Sequence, residues 1–164
     1  MTPVSLTDWQ TYLSVQAGAA AALTGLVFVS VSINLDKIIS LPGVSTRAAE
    51  SLLQFLGAFF ISTVALVPGQ PLKALAAEFI LIGLVSCGIQ VVGQLRFFPR
   101  AGRPWSWIVY RVVLTQLATV PFCISGIALL IGSPAALDWL IPGFFFSFVA
   151  GVFSAWVLLV EILR

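Results

Sequence analysis

Residues 18–35 read GAAAALTGLVFVSVSINL, a stretch that is apolar enough to lie in lipid yet carries two distinct helical faces. At about 100° per residue, one face is small and consists of Gly18, Ala22, Gly25, Val29 and Ser32. The other face is polar and consists of Gln16, Thr24, Ser30 and Asn34. Small residues let a second helix approach closely, whereas polar groups in hydrocarbon need protein or water partners. We therefore expect this helix to lie inside a bundle of transmembrane helices.

The composition of the whole chain points to the same environment. Of its 164 residues, 60% are hydrophobic and 9% are charged, whereas an ordinary soluble domain has about 25% charged residues. The mean hydropathy is +1.10, so a bilayer is the natural solvent. A net charge of +2 gives no support to nucleic-acid binding. The length allows a single transmembrane domain over residues 1–164.

Five hydrophobic segments are long enough to cross a hydrocarbon core of about 30 Å. Pro and Gly mark the breaks between them, above all at residues 41–43, 68–71 and 132–134. The short break at 68–71 predicts an antiparallel hairpin of the second and third spans, and residues 38–45 are predicted to be a connecting loop. We predict an all-α polytopic transmembrane bundle with five membrane-spanning helices at roughly 9–35, 46–67, 72–95, 105–131 and 137–163.

Basic residues are concentrated at one end of this predicted bundle. Seven basic residues lie at that end: Lys37, Arg47, Arg96, Arg100, Arg103, Arg111 and Arg164. The opposite end has only Lys73. Cytoplasmic loops of membrane proteins carry an excess of Lys and Arg. The sequence therefore predicts an N-terminus outside and a C-terminus in the cytoplasm.

Ionisable side chains inside the spans are candidates for function, because each costs about 2.5–3.5 kcal/mol at mid-membrane. Arg111 either snorkels to the surface, pairs with Glu50 or Glu161, or lines a cytoplasmic vestibule with neighbours on the second span. Glu78 is either an interfacial residue or a lining group near the external mouth. The polar face of the first span serves either interhelical hydrogen bonds or a pathway. The candidate pathway lining is Gln16, Thr24, Ser30, Asn34, Arg47, Glu50, Gln54, Glu78 and Arg111.

A second set of small residues recurs at every fourth position of the fifth span. Together with the small face of the first span it forms the candidate helix-packing ridges, which are Gly18, Ala22 and Gly25, and Gly143, Ser147, Gly151 and Ala155. Five short spans with so many special faces are hard to satisfy within one bundle. We therefore expect one of the two ridges to mediate homo-oligomerisation.

The sequence offers no support for an enzyme or a cofactor protein. It has no His, which removes the commonest general base, metal ligand and haem ligand. It also lacks HExxH, CxxC and a Ser-His-Asp set. We predict no catalytic, cofactor-binding or metal-binding residues. Cys87 and Cys123 lie in different spans at depths that differ by roughly 10 Å, so we expect no disulfide between them.

Three motifs stand out in the first 70 residues: LTGLVFVSVSINL at 23–35, RAAESL at 47–52 and LVPGQ at 66–70. Together they resemble a family of short, multi-span bacterial membrane proteins, some of which are labelled "modulator of FtsH protease". The later spans resemble that family only in hydropathy. Because the label belongs to seven-span proteins and five spans are predicted here, neither its function nor any functional residue is carried over. The resemblance implies a multi-pass protein of the bacterial inner (plasma) membrane.

Two classes of function remain open. The first is a homo-oligomeric channel or passive pathway for ions or small solutes, lined by polar residues of the first two spans. The second is a non-enzymatic accessory or regulatory subunit of a larger membrane protein complex. Membrane lipids, further copies of the chain or a larger complex are the expected partners.

Overall fold

The computed structural model describes residues 6–40, 44–97 and 105–163. Over these ranges the chain is helical and contains no β-strand. Five helices are long and apolar enough to cross a membrane, so the prediction of a five-span, all-α membrane protein is confirmed. In chain order the helices are α1 (Leu6–Ile33), α2 (Leu35–Ser40), α3 (Val44–Ala65), α4 (Leu72–Phe97), α5 (Trp105–Leu130), a short 3₁₀ helix (Leu137–Trp139) and α6 (Leu140–Leu163).

The short helix α2 replaces part of the predicted loop at residues 38–45. The backbone N–H of Ile38 donates to the carbonyl of Asn34 at 3.0 Å, so helical bonding resumes directly after α1. The Ile38 side chain is 3% exposed and packs with Val44, Ala48 and Leu158. Burial of this one apolar side chain between α3 and α6 accounts for a helical turn that the loop signals did not predict.

Two tight turns join the antiparallel pairs α3–α4 and α5–α6. Gly69 in the first turn has φ = 72°, and Gly132 in the second has φ = 70°. Only glycine adopts such values without steric cost, which explains why the chain reverses at these positions. The predicted hairpin of the second and third spans is confirmed.

Helices α3, α4, α5 and α6 form a closed ring in which each contacts the next and α6 contacts α3. Helix α1 lies outside the ring and packs mainly on α3. Only 11% of the most apolar window of α1 is buried, against 56% for α3. The expectation that the first span lies inside the bundle is therefore wrong, because α3 takes the central place and leaves α1 at the edge.

The ring has two chemically different ends. The basic end is where α3 and α5 begin and where Lys37, Arg47, Arg96 and Arg111 lie; Arg100, Arg103 and Arg164 lie outside the described residues. The hairpin end carries the turns at 66–71 and 131–136. Apolar side chains fill the half of the ring next to the hairpin end. We call them the apolar layer, and its large members are Ile61, Leu75, Phe79, Phe122, Leu137, Leu140 and Phe144.

The small residues of α6 are used inside the chain. A Cβ atom at Gly143 would lie 2.5 Å from the ring of Phe122, and one at Gly151 would lie 2.5 Å from the ring of Phe55. Ser147 is 1% exposed, and Ala155 is half-buried. This ridge therefore receives aromatic side chains of α5 and α3. Of the two ridges that could mediate homo-oligomerisation, this one is filled at Gly143 and Gly151 within one chain.

Candidate functional site

The polar residues of α1 do not form a site of their own. The Thr24 hydroxyl donates to the carbonyl of Ala20 at 2.7 Å, and the Asn34 amide donates to the carbonyl of Ser30 at 2.9 Å. Bonds to a carbonyl four residues earlier satisfy a polar side chain within its own helix. Gln16 is half-buried. Thr24 and Asn34 therefore have no need of a pathway or a neighbouring helix.

The residues predicted on α3 and α5 do come together. Arg111 forms an ion pair with Glu50, with the Arg111 Nε atom 2.8 Å from Glu50 Oε2. Their side chains are 12% and 3% exposed, so the pair is largely removed from solvent and fixes α5 against α3. Arg47 lies one turn before Glu50 and is 5% exposed. Of the alternatives for Arg111, pairing with Glu50 is observed; the Glu161 side chain lies outside the described residues.

Polar side chains of α4 join this group. The Gln54 amide donates to Gln90 Oε1 at 2.8 Å, and the Gln94 amide donates to Thr115 Oγ1 at 3.2 Å. The Cys87 thiol donates to Gln116 Oε1 at 2.9 Å. We call the whole group the polar core, and its members are Arg47, Glu50, Ser51, Gln54, Gln90, Gln94, Arg111, Thr115, Gln116 and Thr119. It fills the half of the ring next to the basic end and ties α3, α4 and α5 together.

The polar core contains more hydrogen-bonding groups than its own contacts satisfy. Within the described ranges, nine buried side-chain atoms have no hydrogen-bond partner, and five of them belong to the polar core: Glu50 Oε1, Gln54 Oε1, Gln90 Nε2, Gln94 Oε1 and Gln116 Nε2. Buried polar atoms are ordinarily paired, because leaving one unpaired costs about 1–3 kcal/mol. The five atoms include both donors and acceptors. They would be satisfied by water or by a small polar solute inside the ring.

The polar core runs from near the basic end to the middle of the bundle and stops at the apolar layer. Glu50 lies six residues into α3, or roughly 9 Å along it, and Gln54 lies roughly 15 Å along it. Beyond this depth the rings of Phe122 and Phe144 meet with centroids 5.4 Å apart. Neither ring is more than 2% exposed. The ring of helices is therefore polar in one half and closed by aromatic side chains in the other.

A groove of about 300 Å³ lies between α3 and α4 next to the polar core. Its lining residues are Ser45, Thr46, Ala49, Glu50, Leu53, Ile89, Gln90 and Gly93. Ala49 and Ile89 are exposed, so the groove opens sideways, toward the lipid that surrounds the ring. Glu50 and Gln90 form the part of its wall that belongs to the polar core.

Glu78 lies at the opposite end of the bundle, away from the polar core. Its carboxylate accepts a hydrogen bond from the Gln70 amide at 2.6 Å. This bond ties the turn between α3 and α4 to the first turns of α4. The two alternatives for Glu78, an interfacial residue and a lining group near the external mouth, stay predictions.

Several polar-core residues were not among the predicted pathway residues. Gln90 and Gln94 continue a stripe that begins with Gly83 and Ser86, at spacings of three and four along α4. Such spacing places residues on one helical face, and that face packs against α3 and α5. The same periodicity that selected Glu50 and Gln54 on α3 could therefore have selected this stripe.

The small face of α1 is unoccupied in the single chain. Gly18, Ala22 and Gly25 are exposed. A Cβ atom built at either glycine would meet no atom of the described residues within 4 Å. Of the two candidate ridges, this is the one that remains available to another protein.

Comparisons with protein-family models, with curated proteins and with solved structures gave no match to this chain. The resemblance of three motifs to a bacterial membrane-protein family stays a prediction. The polar core is therefore the main basis on which the function of this multi-pass membrane protein can be inferred.

Proposed function

We propose that the protein is a passive pathway for ions or small polar solutes, and that the pathway begins in the polar core. The observation that supports this is the set of five buried polar-core atoms that have no hydrogen-bond partner among the described residues. A network that only holds helices together would satisfy its atoms internally. Unused donors and acceptors in side chains such as Gln54 and Gln90, which are 2% and 1% exposed, suit a solute that comes and goes.

The order of the side chains along the ring gives the pathway its steps. A solute from the basic end first meets the Glu50–Arg111 pair and then the Gln54–Gln90 pair. Donors and acceptors spaced along a path replace hydration as the solute advances. The apolar layer then closes the path, and the rings of Phe122 and Phe144 are in contact within it. Apolar constrictions gate pathways by excluding water, so passage requires these rings to separate.

This pathway lies within one ring of helices and not between subunits. A path lined jointly by the first two spans would need the polar residues of α1 to face those of α3. Thr24 and Asn34 are instead satisfied by carbonyls of their own helix. The α3 residues face α4 and α5, as the Gln54–Gln90 and Glu50–Arg111 contacts require.

Flux into liposomes tests the proposal. We would reconstitute the purified protein and follow glycerol by stopped-flow light scattering and K⁺ by an entrapped fluorescent indicator. The variant Gln54→Leu/Gln90→Leu replaces a buried amide pair with apolar groups of similar size, so it should preserve the fold. We expect wild-type liposomes to pass at least one probe faster than protein-free liposomes, and the double variant to lose that excess.

Thr24→Val is the matched control, because it removes a hydroxyl that bonds only within α1. We expect its flux to equal that of the wild type. Wild-type rates equal to those of protein-free liposomes for both probes would overturn the proposal. Unchanged flux in the double variant would also overturn it.

The direction of the pathway depends on the orientation of the chain. We place the basic end in the cytoplasm of a bacterium, on the argument that Lys and Arg accumulate on that side. Ser40→Cys lies at the basic end and Pro134→Cys at the hairpin end, and both positions are exposed. In a background without Cys87 and Cys123, a membrane-impermeant maleimide added to intact spheroplasts should label only Pro134→Cys. Labelling of Ser40→Cys alone would reverse the orientation.

A second function, that of an accessory subunit, is supported by the unoccupied small face of α1. Helix α1 contributes little to the ring, yet it presents Gly18, Ala22 and Gly25 outward in a pattern that favours close helix contacts. Either a second copy or a larger complex would fit there. We would enlarge the face with Gly18→Leu/Gly25→Leu and measure the mass of the protein extracted gently from its own membrane.

Gly88→Leu is the control for this experiment, because Gly88 is exposed on α4 and equally open. An accessory subunit would lose its partner in the α1 variant and keep it in the Gly88 variant. A wild-type protein that extracts as a monomer would exclude both the homo-oligomer and the stable complex.

A further inference from the structure

Two buried serines on α5 and α6 lie outside the polar core and carry unused hydroxyl groups. Ser125 on α5 is 0% exposed and Ser147 on α6 is 1% exposed. Neither hydroxyl oxygen has a hydrogen-bond partner among the residues that the structure describes. Ser62 on α3 is buried to the same extent, but its hydroxyl donates to the carbonyl of Ala58 at 2.8 Å. A buried helical serine can therefore be satisfied by its own helix, and Ser125 and Ser147 are not.

Both serines lie on the faces of their helices that point into the ring. Ser147 lies one turn from Gly143, and a Cβ atom at Gly143 would lie 2.5 Å from the ring of Phe122. Ser125 follows Phe122 by three residues on α5, and residues at this spacing share a helical face. Phe122 belongs to the apolar layer. The two hydroxyls therefore lie in the interior that the proposed pathway crosses.

The two serines lie on opposite sides of the contact between Phe122 and Phe144. Helix α6 runs from the hairpin end to the basic end, so Ser147 lies roughly 6 Å from Gly143 toward the polar core. Helix α5 runs in the opposite direction, so Ser125 lies roughly 4.5 Å beyond Phe122 toward the hairpin end. A solute on this path would meet one hydroxyl before the aromatic contact and a second hydroxyl after it.

The hydrogen-bonding groups on this part of the path carry no charge. Among the buried residues that the structure describes, the charged ones are Arg47 and Glu50, and both belong to the polar core. Ion pathways replace the hydration shell of the ion with rings of carbonyl groups or charged side chains. Two hydroxyls supply neither. A water molecule makes about three hydrogen bonds, and an uncharged group loses far less than an ion when it leaves water for an apolar layer.

We infer that the solute is a small uncharged molecule that carries hydroxyl groups. A serine hydroxyl both donates and accepts, so Ser147 and Ser125 can each pair with a solute hydroxyl in either sense. The solute then passes from one serine to the other when the rings of Phe122 and Phe144 separate. This inference rests on the proposed function, because it names the class of solute for the same pathway.

Selective flux into liposomes tests the inference. Full-length protein would be reconstituted and offered glycerol, K⁺ and Cl⁻ in separate experiments. We expect wild-type liposomes to pass glycerol faster than protein-free liposomes and to pass both ions at the protein-free rate. An excess rate for either ion would overturn the inference and leave the proposed pathway standing. No excess rate for any of the three probes would overturn the pathway and the inference with it.

Ser147→Ala and Ser125→Ala remove the two hydroxyls and leave the surrounding apolar side chains in place. We expect each variant to lower the excess glycerol rate roughly two- to tenfold, the rate equivalent of one neutral hydrogen bond. Ser62→Ala is the matched control, because its hydroxyl is equally buried and bonds within α3. It should keep the wild-type rate.

An unchanged glycerol rate in both serine variants would overturn the inference. An equal loss in Ser62→Ala would also overturn it, because the loss would then follow from packing and not from an unused hydroxyl. Should Ser125→Ala fail to fold, as judged by far-ultraviolet circular dichroism, the comparison of Ser147→Ala with Ser62→Ala decides the matter. A loss of rate in Ser147→Ala alone supports the inference, and equal rates overturn it.

Discussion

The contact between α4 and α5 at Gly126 gives the sharpest test of the packing. A Cβ atom at this position would lie 2.7 Å from the carbonyl oxygen of Ala76 and 2.7 Å from Cγ1 of Ile80. Ordinary van der Waals contact begins at 3.4 Å, so Gly126→Ala requires the two helices to separate by about 0.7 Å. The Ala76 carbonyl belongs to a helix backbone and cannot rotate away. The interface as a whole must therefore move.

We expect Gly126→Ala to lower the free energy of unfolding by about 1–3 kcal/mol, the usual cost of overpacking a close interface. This loss should appear although alanine is favoured over glycine in a helix by about 1 kcal/mol. The control is Gly25→Ala on α1, where a Cβ atom meets nothing within 4 Å among the described residues. That variant should be as stable as the wild type or slightly more stable.

Unfolding in mixed micelles of increasing SDS content, followed by far-ultraviolet circular dichroism, measures both variants under identical conditions. We expect Gly126→Ala to be less stable than the wild type and Gly25→Ala to be at least as stable as the wild type. Equal stability of Gly126→Ala and Gly25→Ala would refute the close approach of α4 and α5.

Three further predictions concern the polar core and α1. Glu50→Leu should lower the free energy of unfolding by about 3–5 kcal/mol, because it leaves the Arg111 guanidinium without its carboxylate. Glu50→Leu/Arg111→Leu should recover most of that loss. A double variant that is no more stable than Glu50→Leu in the same SDS titration would contradict this prediction. Gln54→Leu should lower the free energy of unfolding by about 1–3 kcal/mol, and Gln54→Leu/Gln90→Leu should leave it nearly unchanged. The same titration measures both variants. Additive losses would show that the two amides do not interact. Thr24→Val should change the free energy of unfolding by less than about 0.5 kcal/mol, because its lost bond is local and its surroundings are half-exposed; a larger loss would mean that Thr24 contacts another helix.

The fold could be predicted from the sequence because membrane spans are fixed by length and hydropathy. Both properties are read directly from consecutive residues, and the turn signals at Gly69 and Gly132 separated the spans correctly. Helix α2 was missed for the opposite reason. Helix α2 depends on the burial of Ile38 against α3 and α6. Leu158, which packs with Ile38, lies more than 100 residues further along the chain.

The place of each helix in the bundle was less predictable. Helix α1 has a small face and a polar face, which predicted an interior position, yet its Thr24 and Asn34 side chains bond to carbonyls four residues earlier in the chain. Helix α3 carries Glu50 and Gln54, whose groups reach beyond their own helix and require partners from α5 and α4. Periodicity shows which residues share a face. It does not show whether that face is satisfied locally or by a neighbour.

The partner that completes the Glu50 ion pair lies 61 residues further along the chain. At a synthesis rate of about 5–20 residues per second, roughly 3–12 s pass between the emergence of the carboxylate and that of its guanidinium partner. During this interval the Glu50 carboxylate is without the guanidinium that pairs with it in the folded structure. The contact between α3 and α5 therefore forms only after α4 and the start of α5 have been made, and the order of synthesis becomes part of how the protein reaches its native state.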